Sequence, residues 1–309
     1  MKKRTLFILK FAAIVVLFVG CKDTFSPKGP FENQLVVYSV LQTGRNLQYV
    51  RVYTNYDVSG FDPFECATDH PIAGAHVVIT GARGTYIFRD TLLPRQDKSR
   101  YTTPIAAYVA NWQPKPGEKY TLDVRVDNIG STTATVTTPR PSTLLYWYPN
   151  TRILDIPDSV MEYPSFYAYG RLLEQTKAYT FQFTIEYDVL LPEGWRRQSA
   201  EPVLASVYNA YGGGSGNCSK SVYVATLSNI GSRYSNTKLT FRRIVYRLLQ
   251  LEENWYNYYS TVRQFQDPFS IRLDEPDFTN LSNGYGLFGA STLDSLVHDY
   301  PDNFKYNNR

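Results

Sequence analysis

"AYTFQFTIEYDVLL", residues 178–191, decides the fold class. Tyr179, Phe181, Phe183, Ile185, Tyr187, Val189 and Leu191 fall on one side of an extended chain, and Thr180, Gln182, Thr184, Glu186 and Asp188 on the other. Successive side chains of a strand point to opposite faces. This period of two, in aromatic and β-branched residues, predicts a strand with one face in a core and the other in water.

The same pattern recurs on both sides of it. Towards the N-terminus, Gln34–Val40 and Leu47–Thr54 read as the first two strands. "PIAGAHVVIT" (71–80) reads as a turn feeding a strand, with Val77 and Ile79 inward and His76 and Val78 outward. "GTYIF" (84–88) follows as a partner strand. "PGEKYTLDVRV" (116–126) places a turn at Pro116-Gly117 before Leu122, Val124 and Val126, and "TTATVTT" (132–138) finishes a sheet. Short strands at this spacing, punctuated by turn residues, predict a β-sandwich over 32–140. "TPRPS" (138–142) resists both helix and central strand and marks the expected seam.

A second β-rich domain is expected over 141–300, ahead of a polar tail (301–309). Val203–Tyr208, Ser221–Thr226 and Arg243–Leu251 read as further strands. The period then changes. Trp255, Tyr258, Tyr259 and Val262 make one stripe of a helix over 252–265, with Glu252 and Glu253 at its positive end and Asp267-Pro268 closing it. Such a stripe predicts packing rather than a ligand face. "NGYGLFGA" (283–290) reads as a glycine-rich strand or turn, and "HDYPDNFKYNNR" (298–309) as a polar end free to fray.

The N-terminus reads as an address. Lys2, Lys3, Arg4 and Lys10 precede the apolar run Phe11–Val19, which stops at Gly20-Cys21-Lys22. A spanning helix needs about 20 apolar residues; this run is too short and suits a signal peptide. Phe18 and Leu17, then Gly20 and Cys21, form a lipobox-like pattern, in which Leu is more usual than Phe. On this reading residues 1–20 are removed, and Cys21 carries a diacylglycerol thioether and an acyl chain such as palmitate. Residues 21–31 form a Pro/Gly tether. Two or more chains give stable membrane attachment where one does not. The alternative is an ordinary signal peptide with an incidental cysteine.

The formal net charge of +4 comes from the leader. Without those four basic residues the chain carries equal numbers of Lys+Arg and Asp+Glu, against the clustered positive charge that nucleic acid requires. Arg242, Arg243 and Arg247 form a local basic cluster, expected to point outward from a strand.

Chemistry is sparse. Cys66 and Cys218 remain after Cys21, an even pair that permits one disulfide in an exported protein, though nothing in the spacing brings them together. His70 and His76 lack a nearby zinc-spaced partner. "GGSGN" (213–217) is not a nucleophile elbow and reads as a flexible loop. Asp274, Glu275 and Asp277 match no calcium loop. No cofactor, metal or catalytic constellation is expected. Of "LLYWYPN" (144–150), Trp147 is the best candidate for stacking on a sugar, set against packing at the seam.

"PIAGAHVVIT" and "PGEKYTLDVRV" resemble the Ig-like, carboxypeptidase-regulatory-type sandwich of exported proteins. With the strand at 243–251, the aromatic helix, "DPF" (267–269), "NGYGLFGA" and the lipobox, the chain resembles a family of outer-membrane lipoproteins built on a domain of unknown function. The resemblance implies a mainly β fold: an N-terminal Ig-like β-sandwich, then a second β-rich domain with one helix in the C-terminal half. It implies an outer-membrane location, lipid at Cys21 and association with TonB-dependent transporters, and it supplies no catalytic residue. The function expected is therefore a non-enzymatic, anchored binding or accessory protein. A glycan-binding module and a surface hydrolase are the alternatives.

Overall fold

The computed structural model describes residues 31–55, 71–95, 98, 103–148, 165–173, 175–201, 207–210, 213–264, 278–300, 302 and 304. Met1–Asn33 and Gln34–Arg309 are separate units, and every described strand and helix belongs to the second. That unit is mainly β. Fifteen strands are described: β1 (Leu35–Gln42), β2 (Leu47–Thr54), β3 (His76–Gly81), β4 (Gly84–Leu93), β5 (Ile105–Asn111), β6 (Lys119–Val126), β7 (Gly130–Thr137), β8 (Thr143–Tyr148), β9 (Ser165–Arg171), β10 (Ala178–Leu191), β11 (Gly194–Ala200), β12 (Val207–Asn209), β13 (Gly214–Ser219), β14 (Leu239–Leu251) and β15 (Gly284–Asp299). Two helices are described, α1 (Lys220–Arg233) and α2 (Glu253–Gln264).

Twelve strands form one sheet in the order β11-β10-β14-β15-β1-β2-β5-β4-β3-β6-β7, with β12 also on β10. The proline-rich segment 138–142 leaves this sheet at β7 and leads into β8 of a smaller one, within one compact unit. The large sheet is joined through β15, which pairs antiparallel with β14 and parallel with β1. Its far edge rolls back on itself. Thr133 of β7 bridges to Ser282, just ahead of β15, through Ser282 N–H to Thr133 O at 2.9 Å and Thr133 N–H to Ser282 Oγ at 3.1 Å.

Two cores result. Inside the roll, Leu35, Val37, Val50, Val52, Val77, Ile79, Leu122, Val124, Val136 and Phe288 pack together. Val77 and Ile79 point inward and His76 outward, as the alternation requires. The second core joins Phe181, Phe183 and Ile185 of β10, Tyr246 and Leu248 of β14, and Tyr223, Leu227 and Ile230 of α1. The small sheet, β13-β9-β8, adds Cys218 and Ala168 to it.

"NGYGLFGA" is explained by close approach. The backbone of Gly286 has φ +115°, and a Cβ there would lie 2.1 Å from Val37 O; one on Gly284 would lie 2.9 Å from Leu35 O. The parallel seam between β1 and β15 thus needs glycine at these positions. On the face opposite the first core, a Cβ on Gly289 would sit 3.0 Å from Trp255 Cβ, so α2 rests directly on β15. Tyr258 meets Tyr38 of β1 edge-on, with centroids 5.8 Å apart. Trp255, Tyr258 and Tyr259 are half-buried, so the stripe packs on the sheet without being sealed in.

Four expectations are corrected. Residues 221–226 are helical, not a strand: Tyr223, Leu227 and Ile230 follow i, i+4, i+7 into the core, and Ser219 Oγ caps the start by accepting Val222 N–H at 3.3 Å. The alternation of Val222, Val224 and Thr226 conceals this period. "GGSGN" lies within and beside β13 and is not a loop. A Cβ on Gly216 would come 2.4 Å from Phe181 Cγ, so the glycines let the small sheet lie flat on β10. The stretch 298–300 does not fray: His298 and Asp299 finish β15, and Tyr300 is buried with its hydroxyl 2.7 Å from that of Tyr223. The polar face of β10 is only partly wet, since Thr184 and Asp188 are buried. Strands β5, β9 and β11 escape a reading by periodicity, because small or charged residues break their apolar pattern.

Candidate functional site

The residues singled out by sequence do not assemble into one site. Cys21, Cys66, His70, Asp274, Glu275, Asp277 and Pro268 lie outside the described residues. Cys218, on β13, is a free and buried thiol whose pKa burial pushes up to about 12. Trp147 lies where β8 shifts register against β9, between Tyr146 and Tyr148; its side chain is outside the described set. His76 is exposed on β3. Among the described residues no group of three or more His, Cys, Asp or Glu could hold a metal ion.

Three polar constellations emerge instead. The first lies on the outer face of β11, β10 and β14. A bulge in the β10–β14 register after Glu186 brings both Arg242 and Arg243 to the β10 carboxylates. Arg243 Nε meets Glu186 Oε2 at 2.7 Å and Arg242 Nε meets Asp188 Oδ2 at 2.6 Å. Arg197 of β11 pairs closely with Asp188, and Arg247 Nη1 donates to Thr184 Oγ1 at 2.6 Å. Hydrogen bonding to Arg197, then to Arg242, holds the Asp188 carboxyl below the usual range. The basic cluster does point outward, but it is spent on carboxylates of the neighbouring strand.

The second is half-buried and ties down the proline-rich seam. Asp294 Oδ2 accepts from Ser142 N–H at 2.8 Å, Ser142 Oγ at 3.0 Å and Gln250 Nε2 at 2.7 Å. Thr292 Oγ1 donates to Pro139 O at 2.6 Å and Thr176 Oγ1 to Gln250 Oε1 at 2.8 Å. Prolines cannot donate to a ladder, so side chains of β14 and β15 hold this segment. Burial raises the Asp294 pKa against those bonds.

The third is a crevice of about 460 Å³ where the rolled sheet meets the second core. Lys119 of β6 and Thr135 and Thr137 of β7 form one wall. Gln175 and Lys177, in the turn before β10, form another. The floor is the start of α2, with Glu252, Glu253 and Asn254. Glu252 is 5% exposed. Its Oε2 accepts Asn254 N–H at 2.7 Å, and its Oε1 accepts Trp255 N–H at 2.8 Å and Ala290 N–H at 3.2 Å. It therefore caps α2 and fastens it to β15. Even with these donors, burial pushes its pKa up to about 7. Lys177 pairs with Glu253 at 3.7 Å on the exposed rim. The Gln175 Oε1 atom is buried with no hydrogen-bond partner.

The sequence pointed to Glu252 only as a charge suited to a helix start. Lys119, Gln175 and Lys177 carry no local signal, because three elements far apart in the chain bring them together.

Residues 22–296 match a family described as Domain of unknown function (DUF4249). No protein of curated function matches. Among solved structures, the chain is similar to the C-terminal globular domain of an oligosaccharyltransferase from Pyrococcus abyssi, at 9% identity and a TM-score of 0.20. The alignment covers 71% of this chain and 50% of that one, so the chain spans about half the length of that structure. A likeness that slight carries no argument about activity.

Proposed function

The chain belongs to the DUF4249 family, and from that premise we propose that it is a lipid-anchored, non-enzymatic binding or accessory protein of the outer membrane, acting beside a TonB-dependent transporter. The observation that carries this reading is "VVLFVGCKDTF" (15–25), where an apolar run too short to span a membrane stops at a glycine and a cysteine. Lipid at Cys21 and the Pro/Gly tether would hold the folded body at the bilayer. Strands β1–β7, rolled around one core, take the part of the Ig-like, carboxypeptidase-regulatory-type module. Two carboxyl groups with structural commitments support a binding role over a chemical one: buried Glu252 is taken by a helix cap and half-buried Asp294 by the seam.

Metabolic labelling with a radioactive fatty acid tests the anchor. Label is expected in the wild type and not in Cys21→Ser; mass spectrometry that finds residues 1–20 attached, or an unmodified thiol at Cys21, removes it. Affinity purification in mild detergent tests the accessory role. Recovery of an outer-membrane transporter is expected, and a preparation without any membrane-protein partner overturns it.

A further inference from the structure

We propose that one end of the rolled sheet docks on an anionic phospholipid surface, as a second membrane contact beside the lipid at Cys21. The inference deepens the membrane-anchored reading above and rests on it. Strand direction fixes which segments share that end. β1 passes to β2 through 43–46, β3 to β4 through 82–83, β5 to β6 through 112–118, and β7 leaves for the seam through 138–142. Hydrogen bonds lock these segments together. Gln113 Nε2 donates to Thr43 O at 2.7 Å, Trp112 N–H to Asn46 O, and Thr138 Oγ1 to Lys115 O at 2.7 Å. Arg140 lies against the 112–118 turn, where a Cβ on Gly117 would come 2.8 Å from its Nε.

The balanced total charge conceals an excess here. The four segments carry Arg45, Arg83, Lys115 and Arg140, all exposed, against one acid, Glu118. Glu118 is taken by Arg83 Nε at 2.7 Å and by the Tyr120 hydroxyl at 2.9 Å. Among the described residues Arg45, Lys115 and Arg140 have no ion-pair partner. Aliphatic residues flank these charges. Leu47, 41% exposed, opens β2 two positions after Arg45, and Ile87, 66% exposed, stands on β4 beyond Arg83. Both lie on the outer face, opposite the core residues Val50 and Phe88.

Basic side chains beside exposed aliphatic ones suit a membrane interface. Each Lys or Arg near an anionic leaflet is worth about fivefold in affinity, and the aliphatic side chains enter the acyl boundary. A soluble polyanion would use the charges and leave Leu47 and Ile87 idle. Single-stranded nucleic acid also wants a free ring to stack on, whereas Trp112 is already stacked on Tyr86, with centroids 4.0 Å apart. Reach is sufficient. The 8 residues of β1 carry the chain about 27 Å from the tether, and residues 21–33 span up to about 45 Å.

The test is co-sedimentation with vesicles of residues 22–309, which lack the leader and Cys21 and keep every described strand and helix. Vesicles of phosphatidylcholine with about one-third phosphatidylglycerol should bind at least about tenfold more tightly than phosphatidylcholine alone, and about 0.5 M salt should remove that preference. Arg45→Gln together with Lys115→Gln should weaken binding to the anionic vesicles by about tenfold or more, and Leu47→Ser together with Ile87→Ser by about fivefold or more. Arg196→Gln, at an exposed arginine of β11, should leave it unchanged. Equal binding to both vesicles, binding to neither, or affinity unaltered by the glutamine pair overturns the proposal. A serine pair that binds like the wild type also overturns it, in favour of a soluble polyanion, for which dextran sulfate is the probe. The tested chain has no Cys21, so a missing fatty-acid label in the native protein and missing vesicle binding here are separate failures.

Discussion

Replacing Glu252 by Gln should flatten the dependence of stability on pH. The carboxyl group is almost fully buried and accepts three backbone N–H groups, two from α2 and one from β15. Burial nevertheless outweighs those donors and raises its pKa from an ordinary 4.5 to about 7. The folded protein thus holds this proton more tightly than the unfolded chain, and folding takes up a proton between those two values. The stabilisation is complete below about pH 4.5 and is lost as pH rises through about 7. At about 1.4 kcal/mol per tenfold change in proton affinity, the whole effect is about 3 kcal/mol, of which about 2.5 kcal/mol disappears between pH 5 and 8.

Glu252→Gln keeps the Oε1 acceptor for Trp255 and Ala290 and loses the bond to Asn254. That imposes a pH-independent offset of about 1–2 kcal/mol. Urea unfolding of both proteins at pH 5, 6, 7 and 8, followed by tryptophan fluorescence, separates offset from slope. The gap between them should shrink, or reverse, by about 2.5 kcal/mol across the range. The difference cancels the other titrating groups. Asp188, held low by Arg197 and Arg242, loses its contribution only as pH falls below the ordinary carboxylate range. Asp294, raised by burial, slopes in the same direction as Glu252 but is common to both proteins. Parallel stability curves for the two proteins would refute the reasoning, because a carboxyl group that titrates alike in both states contributes no slope.

Gly286→Ala should prevent the parallel seam from closing, since the added methyl would lie 2.1 Å from Val37 O at a φ of +115°; a loss of about 3 kcal/mol or more, or failure to fold, is expected in urea melts. Asp294→Ala leaves the Ser142 N–H and hydroxyl without this acceptor and Gln250 Nε2 with only the Arg140 carbonyl at 3.2 Å, and should cost about 2–4 kcal/mol by the same assay. Asp294→Asn should recover part of that loss by restoring one acceptor.

The sequence disclosed the fold wherever one periodicity acted alone. β10 was legible because its aromatic face has no competing helical period, and the start of α2 because two glutamates coincide with the change of period. Failure came where two patterns overlapped. Residues 222–226 alternate like a strand, yet Tyr223, Leu227 and Ile230 gain a core contact only as a helix, and tertiary burial outweighs a weak local preference. Glycines misled for a different reason. Gly216 of β13 and Gly284 and Gly286 of β15 look like breaks in a pattern, but each marks a place where a ring or a backbone comes too close for a Cβ. Glycine in a strand is thus ambiguous until its neighbour is known. The crevice was hidden by the same logic. A strand end, a turn and a helix start contribute to it, and none carries chemistry alone. Only the closure of β7 onto Ser282, together with the parallel pairing of β1 and β15, brings Lys119 towards Gln175 and Glu252. Both links join residues more than a hundred positions apart, and at that range periodicity in a single chain holds no information.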